Sequence, residues 1–269
     1  MSPAAQAFDA VAEQFDERYG AWLSVAAQRR AVRAELAKAF PIGARVLEIG
    51  GGTGDDAQWL IERGRDVLLT DVSPRMVRIA AEKLRPLNAS PPCVAPAETL
   101  GPLADELGRQ GLPLFEGVFS NFAGLNCVPD LEPVARGLAR LVRPGGRVLI
   151  VIFGVWPPGE WLVQLARRDV KSAFRRLSRG DVHARLGGRD FVVRYHRPAD
   201  VHRAVAPWFR VVSRIGIGVL VPPSAAEPAI SRYPKVLSAL EAIDRVVKRP
   251  LAALGDHVLY TLARSDAPA

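Results

Sequence analysis

The chain has 269 residues, 36 Lys or Arg against 28 Asp or Glu, a formal net charge of +8 and 49% hydrophobic residues. That length buries a full core in one large or two small domains, and the hydrophobic content is ordinary for a globular protein, so disorder is not the default. No apolar run approaches the roughly 18 residues that span a bilayer, and the two cysteines, Cys93 and Cys127, supply neither a disulfide framework nor metal-site spacing.

The N-terminus (MSPAAQAFDAVAEQFDERYG) carries acids early and no apolar h-region, so no secretory signal is expected and a reducing cytoplasm is. Residues 6–39 read as a long helical pattern with Phe8, Val11, Phe15, Tyr19, Leu23 and Ala26 on one stripe, stopped by Pro41 and Gly43. Strands are expected at 45–49, 66–70, 92–95, 117–121 and 147–153, alternating with helices, which implies a parallel sheet covered on both faces. Residues 87–103 are Pro-rich and only weakly patterned for the helix that should lie there.

After the fifth strand the pattern changes. Trp156-Pro157-Pro158-Gly159 reads as a turn, followed by an amphipathic helix over Trp161–Leu177. Leu162, Leu165, Ala166, Val170, Phe174 and Leu177 form its apolar face, and Arg167, Arg168, Lys171, Arg175 and Arg179 its other face. Val182–Leu186 and Arg189–Tyr195, joined by Gly187-Gly188, read as a β-hairpin. A helix follows Pro198, then a strand near 210–221, a helix over 229–249 and a last strand at His257–Ala263. Between 161 and 214 stand 13 basic and 4 acidic residues, so this segment carries the whole net charge. A solvated Arg-rich surface explains that, and an anionic membrane met by the 161–179 helix is the alternative. Nucleic acid is disfavoured, because the fourth strand ends Asn121-Phe122-Ala123-Gly124 without a D/N-P-P-Y-like motif.

The richest segment is Val46-Leu47-Glu48-Ile49-Gly50-Gly51-Gly52-Thr53-Gly54: an apolar run, an acid, then four glycines before an amphipathic stretch. A second apolar run, Val67–Thr70, ends at Asp71. This is strand, glycine turn, helix and strand with a carboxylate at its tip, the layout of a nucleotide site. A dinucleotide fingerprint wants a third glycine at position 55, where this chain has Asp55 followed by Asp56. Two acids in the first turn are expected to oppose a pyrophosphate but not a cationic ligand. Glu48 is positioned to attract an ammonium and Asp71 to accept both hydroxyls of a ribose.

Glu48-x-Gly50-x-Gly52-x-Gly54 resembles motif I of the class I S-adenosylmethionine-dependent methyltransferases. The resemblance continues at Asp71–Met76 (DVSPRM), at Phe115–Asn126 and at Leu141–Val148, which is similar to the family's PGG turn into strand five. Together these motifs cover about residues 40–153. The resemblance implies a Rossmann-like α/β fold with a doubly wound seven-stranded sheet, mostly parallel with an antiparallel last strand. It also implies an inserted helix and hairpin after strand five. The chain then divides as one methyltransferase domain over 1–269: an N-terminal helical cap (1–40), a cofactor-binding half (41–154), the insertion (155–200) and the C-terminal part of the sheet (201–269).

The implied cofactor is S-adenosyl-L-methionine, held by Glu48, Gly50, Gly51, Gly52, Gly54 and Asp71, with Val72 against the adenine. Ala97 and Glu98 would meet the adenine edge, although Pro96 stands where the family often has an acid. Asn121 and Phe122 fall between the methionine moiety and the substrate. Tyr19, Trp156 and Tyr195 are the expected acceptor-side residues. No catalytic acid or base is compelling: His183, His196, His202 and His257 each read more readily as surface or satisfied histidines. No metal is expected. The implied reaction is methyl transfer to a small molecule, lipid and quinone-like acceptors included. An NAD-dependent oxidoreductase and a catalytically silent cofactor-binding scaffold remain alternatives, and the oligomeric state is left open.

Overall fold

The computed structural model describes residues 1–265; the last four residues assigned to the C-terminal part of the sheet lie outside them. Seven strands make one sheet: β1 (Arg45–Ile49), β2 (Asp66–Asp71), β3 (Cys93–Val94), β4 (Phe115–Ser120), β5 (Val142–Phe153), β8 (Phe209–Ile217) and β9 (His257–Arg264). Their order is β3-β2-β1-β4-β5-β9-β8, with β1 to β5 parallel and β9 antiparallel to both its neighbours. A hairpin of β6 (Asp181–Leu186) and β7 (Arg189–Arg194) stands apart from the sheet.

Alternation along the strands splits the core into two layers. On one face Leu47, Ile49, Val148, Ile150, Val258 and Tyr260 pack against α7 (Glu132–Leu141) and α10 (Pro198–Val205). On the other, Val46, Leu69, Leu149, Val151 and Leu259 pack against α3 (Leu23–Ala39), α4 (Asp55–Ile61) and α5 (Pro74–Leu84). Helix α5 starts where Ser73 Oγ accepts from the Met76 N–H and Pro74 occupies the first turn. The weakly patterned 87–103 stretch resolves into short 3₁₀ turns at Arg85–Leu87 and Ala97–Thr99, and α6 begins only at Gly101 and runs to Arg109. No helix among the described residues is long and apolar enough to cross a membrane.

Two expected helices are broken. The 6–39 pattern divides into α1 (Pro3–Val11), a 3₁₀ turn, α2 (Phe15–Gly20) and α3. Val11 and Gln14 leave helical geometry (φ −112° and −104°), and Trp22 is extended. The breaks let Phe15, Tyr19 and Trp22 cluster, with ring centroids 4.8 and 5.0 Å apart, rather than spread along one straight stripe.

The 161–177 helix is α8 (Pro158–Ala166) and α9 (Val170–Phe174), separated where Arg168 takes φ 61° and Asp169 caps α9 by accepting from Ser172 N–H at 2.9 Å. Its expected apolar face is also turned to the surface. Leu162, Leu165, Val170, Phe174 and Leu177 are exposed, whereas Glu160, Gln164 and Arg176 are buried. The physical reason is a buried ion-pair network: Arg176 contacts Glu160 and pairs with Asp256 at 2.7 Å, which draws the Glu160 and Arg176 side chains inward while Arg167, Arg168, Lys171, Arg175 and Arg179 stay exposed.

Candidate functional site

The parallel strands deliver their carboxyl ends to one edge of the sheet, where open α/β sheets bind ligands. Because β9 runs the other way, it brings its first residue to that same edge: His257 pairs with Phe153, the end of β5. A cavity of about 350 Å³ lies there. Phe8, Phe15 and Tyr19 from the two N-terminal helices form part of its wall. That cap is fixed to the cofactor half by polar contacts: Asp9 Oδ1 accepts from Ser73 Oγ at 2.8 Å and from Arg75 N–H at 2.9 Å, and Asp16 Oδ1 from Thr53 Oγ1 at 2.5 Å.

Most of the residues singled out in the sequence meet at this cavity. Glu48, Gly50, Gly51, Gly52, Asp71, Val72, Ala97, Glu98, Asn121, Phe122 and Tyr19 all line it. Gly54 sits below, opening α4 with φ 87°, and a Cβ there would come within 3.3 Å of Ala80. Gly51 has no room either, since a Cβ would meet the Leu69 side chain at 2.6 Å. Trp156 and Tyr195 are not among the residues lining this cavity, contrary to expectation. Trp156 lines a separate small pocket with His196 and Tyr260, and Phe153 stands between the two cavities. Tyr195 is buried with its ring 5.8 Å from that of Phe153.

The two carboxylates differ in what they already do. Asp71 Oδ1 accepts from Ser73 N–H at 2.8 Å and Oδ2 from Gly52 N–H at 2.9 Å, so the loop is tied to the tip of β2. Burial pushes its pKa up against the pull of those backbone donors. Each oxygen keeps a second lone pair for an outside donor. Glu48 is buried, and its Oε2 has no hydrogen-bond partner among the described residues. Burial first, and then the charge of Asp56, hold the Glu48 pKa well above the usual carboxylate range.

Asp55 and Asp56 do not act as expected. Asp56 is buried and accepts from Arg33 Nε and Asn121 Nδ2, both at 2.7 Å, with Arg29 3.4 Å away. Asp55 accepts from Lys83 at 2.5 Å and also has Arg29 at 3.4 Å. Three cations therefore offset the charge of this pair. The Gly52 N–H serves Asp71, whereas phosphate-binding loops point such donors at the ligand.

The tip of β4 is strained. Phe122 and Ala123 both take positive φ (48° and 61°), and Asn121 Oδ1 holds the turn by accepting from Phe122 N–H at 2.8 Å. This aims Phe122 into the cavity, while the polar atoms of Asn121 are engaged inside the protein. Sequence reading missed Gln28, Arg29, Phe153 and Asp256 and took His257 for a surface or satisfied histidine, whereas all five line the cavity. For Asp256 and His257 a signal existed: they open a strand that inserts antiparallel, so they had to reach the functional edge.

Residues 47–150 match the family described as "Methyltransferase domain". The malonyl-[acyl-carrier protein] O-methyltransferase of Halorhodospira halophila is 31% identical over 213 residues, covering 74% of this chain and 68% of that protein. The ubiquinone/menaquinone biosynthesis C-methyltransferase of Edwardsiella ictaluri is 33% identical over 119 residues, 41% of this chain; the alignment spans only 43% of that relative's length. Among solved structures, the CcbJ methyltransferase of Streptomyces caelestis superposes with a TM-score of 0.56 at 16% identity, covering 89% of each chain. Geranyl diphosphate C-methyltransferase of Streptomyces coelicolor, solved with S-adenosyl-L-homocysteine, gives 0.54 at 14% identity over 88% of this chain and 79% of that one. At these identities the structural likeness concerns the fold alone.

Proposed function

The chain belongs to the class I S-adenosylmethionine-dependent methyltransferases, and from that premise we propose that its cleft holds the cofactor's methionine end at Glu48 and methylates a small acceptor of lipid or quinone type. One observation carries the reading: an unpartnered carboxylate oxygen, buried at a strand tip and facing a cavity beside left-handed glycines. A buried acceptor left without a donor is costly, and an ammonium group would satisfy it.

Asp71 is suited to take the ribose hydroxyls on its free lone pairs, and Val72 with Met76 offers an apolar wall for the adenine. The Ala97 N–H and Glu98 stand at the edge of that wall. When bound, the cofactor supplies an electrophilic methyl group on a sulfonium. The protein's own contribution is placement: Phe122, Phe153 and Tyr19 line the cavity and would seat an acceptor in line with the methyl group. Thermal-shift measurements test the reading. S-adenosylhomocysteine should raise the melting temperature and NADH should not; the reverse pattern would establish the oxidoreductase alternative. Binding without turnover on any extract fraction would favour a silent scaffold.

A second reading concerns the α8–α9 surface. Leu162 (72% exposed), Val170 (58%) and Phe174 (41%) face outward beside Arg167, Arg168, Lys171 and Arg179. Apolar side chains ringed by cations suit the headgroup region of an anionic membrane, which supports peripheral contact there. A cytoplasmic location fits two free cysteines whose pKa values burial raises, that of Cys127 to about 12.

A further inference from the structure

The far end of the cavity holds an imidazole that cofactor binding does not use. His257 opens β9 with its ring stacked on Phe153 (centroids 5.0 Å apart, 26° between planes) and Phe122 edge-on at 6.1 Å. It lines the same cavity as Glu48 and the glycine loop. Its Nδ1 lies 3.3 Å from Asp256 Oδ2, an ion-pair distance at which no hydrogen bond is formed in this geometry, and Nε2 has no partner among the described residues. The other histidines are placed differently: His183 and His202 are exposed, and His196 Nε2 meets the Val128 carbonyl oxygen at 2.9 Å.

Asp256 is held in place from three sides. Arg176 Nη2 donates to its Oδ1 at 2.7 Å, Arg176 Nη1 to its carbonyl oxygen at 2.6 Å, and Gln28 Nε2 to its Oδ2 at 3.2 Å. Burial would raise its pKa, but Arg176 and then His257 outweigh burial and hold it well below the usual carboxylate range. Arg176 is itself balanced by Glu160, to which Arg175 also donates at 2.6 Å. A buried ionised carboxylate opposite Nδ1 favours the Nδ1–H tautomer and leaves the Nε2 lone pair available.

We propose that His257 is the general base of the methyl transfer, with Asp256 and Arg176 as its positioning residues, and that the acceptor carries a proton on the attacking atom: a hydroxyl, an amine N–H or an activated C–H. This rests on the cofactor reading above. The bond from the acceptor atom to the methyl carbon forms as the carbon–sulfur bond breaks, and the latter's electron pair stays on sulfur. The acceptor's proton passes to His257 Nε2 and from there to water. An acceptor that is already a free nucleophile, such as a thioether, has no use for this arrangement. The charged groups around the ring are Asp256 beside it, Arg176 and Glu160 behind Asp256, Arg29 on α3, and Glu48 across the cavity.

Three measurements test the proposal, using the full chain and the variants His257→Gln, His257→Phe and Asp256→Asn. The Phe variant keeps the stack on Phe153, so it controls for folding. Ring ¹⁵N NMR of the protein saturated with S-adenosylhomocysteine should show His257 as the Nδ1–H tautomer, with the bias reduced in Asp256→Asn. An Nε2–H tautomer overturns the proposal whether or not an acceptor is in hand. Calorimetry with S-adenosylhomocysteine should give wild-type and His257→Gln affinities within about threefold; binding by neither breaks the cofactor reading instead. Transfer of labelled methyl groups to the accepting extract fraction should fall about 10²–10⁴-fold in kcat in both His257 variants. The wild-type acid limb of the pH profile should vanish with it. Transfer undiminished in His257→Phe refutes the proposal while leaving the methyltransferase reading intact.

Discussion

The two ends of the cleft are built on different principles. At the glycine loop the backbone makes the site: left-handed glycines, the Gly52 N–H on Asp71 and a carboxylate waiting at Glu48. At the far end, side chains from segments distant in sequence converge. Gln28 comes from α3, Phe122 from beyond β4, Arg176 from the turn after α9, and Asp256 and His257 from the start of β9. A backbone-built site is a local pattern of a few residues. A side-chain-built site exists only once the topology is known, which is why an invariable cofactor and a variable acceptor can share one fold.

The largest expected effect breaks the far end. Replacing Arg176 by Met leaves Asp256 as a buried carboxylate without its arginine and Glu160 with Arg175 alone, and should destabilise the protein by about 3–5 kcal/mol in denaturant unfolding. Removing both carboxylates as well, through Glu160→Gln and Asp256→Asn, should recover most of that loss. If it does not, the network is not what holds α8 and α9 against the sheet. At the near end, Gly51→Ala forces a methyl against Leu69 and Glu48. It should cost about 1–3 kcal/mol of stability by thermal unfolding and also weaken cofactor binding.

Asp71→Ala should weaken S-adenosylhomocysteine by about 1–3 kcal/mol through lost charge-assisted hydrogen bonds. Unchanged affinity by calorimetry would reduce Asp71 to a brace for the loop. The smallest effect on the fold comes from Leu162→Asp with Phe174→Asp: stability should change by less than about 0.5 kcal/mol per substitution. Sedimentation with phosphatidylglycerol vesicles should nevertheless fall sharply. Equal sedimentation of wild type and variant would remove the membrane reading.

This contrast also explains what could be read from the sequence. Strands β1, β2 and β9 were legible to within a residue or so, because buried strands flanked by glycine and acid leave little choice of boundary. Glu48, Asp71 and the glycines follow from that legibility, since the loop's chemistry is written in consecutive residues. The α8–α9 region defeated periodicity for a specific reason. A 3.6-residue apolar stripe ordinarily faces inward, but here Glu160, Arg176 and Asp256 pair in the interior through contacts distant in sequence, and the stripe faces out. Asp55 and Asp56 misled likewise, because Arg29, Arg33 and Lys83 lie 22 or more residues away in sequence. Trp156 is expected on the acceptor side, yet it lines a separate pocket and Phe153 stands between that pocket and the cleft.

Glu48 gives the comparison its sharpest consequence. Its folded pKa lies above its ordinary value. It therefore favours the folded state at acid pH, and that contribution is lost as pH rises from the ordinary carboxylate range through the raised value. Glu48→Gln should then make the ligand-free protein relatively more stable at pH 8 than the wild type, while weakening the cofactor. An ammonium beside Glu48 favours its ionised form, against the direction in which burial pushes it, and the expected outcome is proton release on binding.

Calorimetric titration of S-adenosylhomocysteine near pH 6, in buffers of different ionisation enthalpy, reads that proton directly. Net proton release by the wild type, absent from Glu48→Gln together with a clear loss of affinity, is the predicted result. Binding that releases no proton and survives Glu48→Gln unweakened would contradict it.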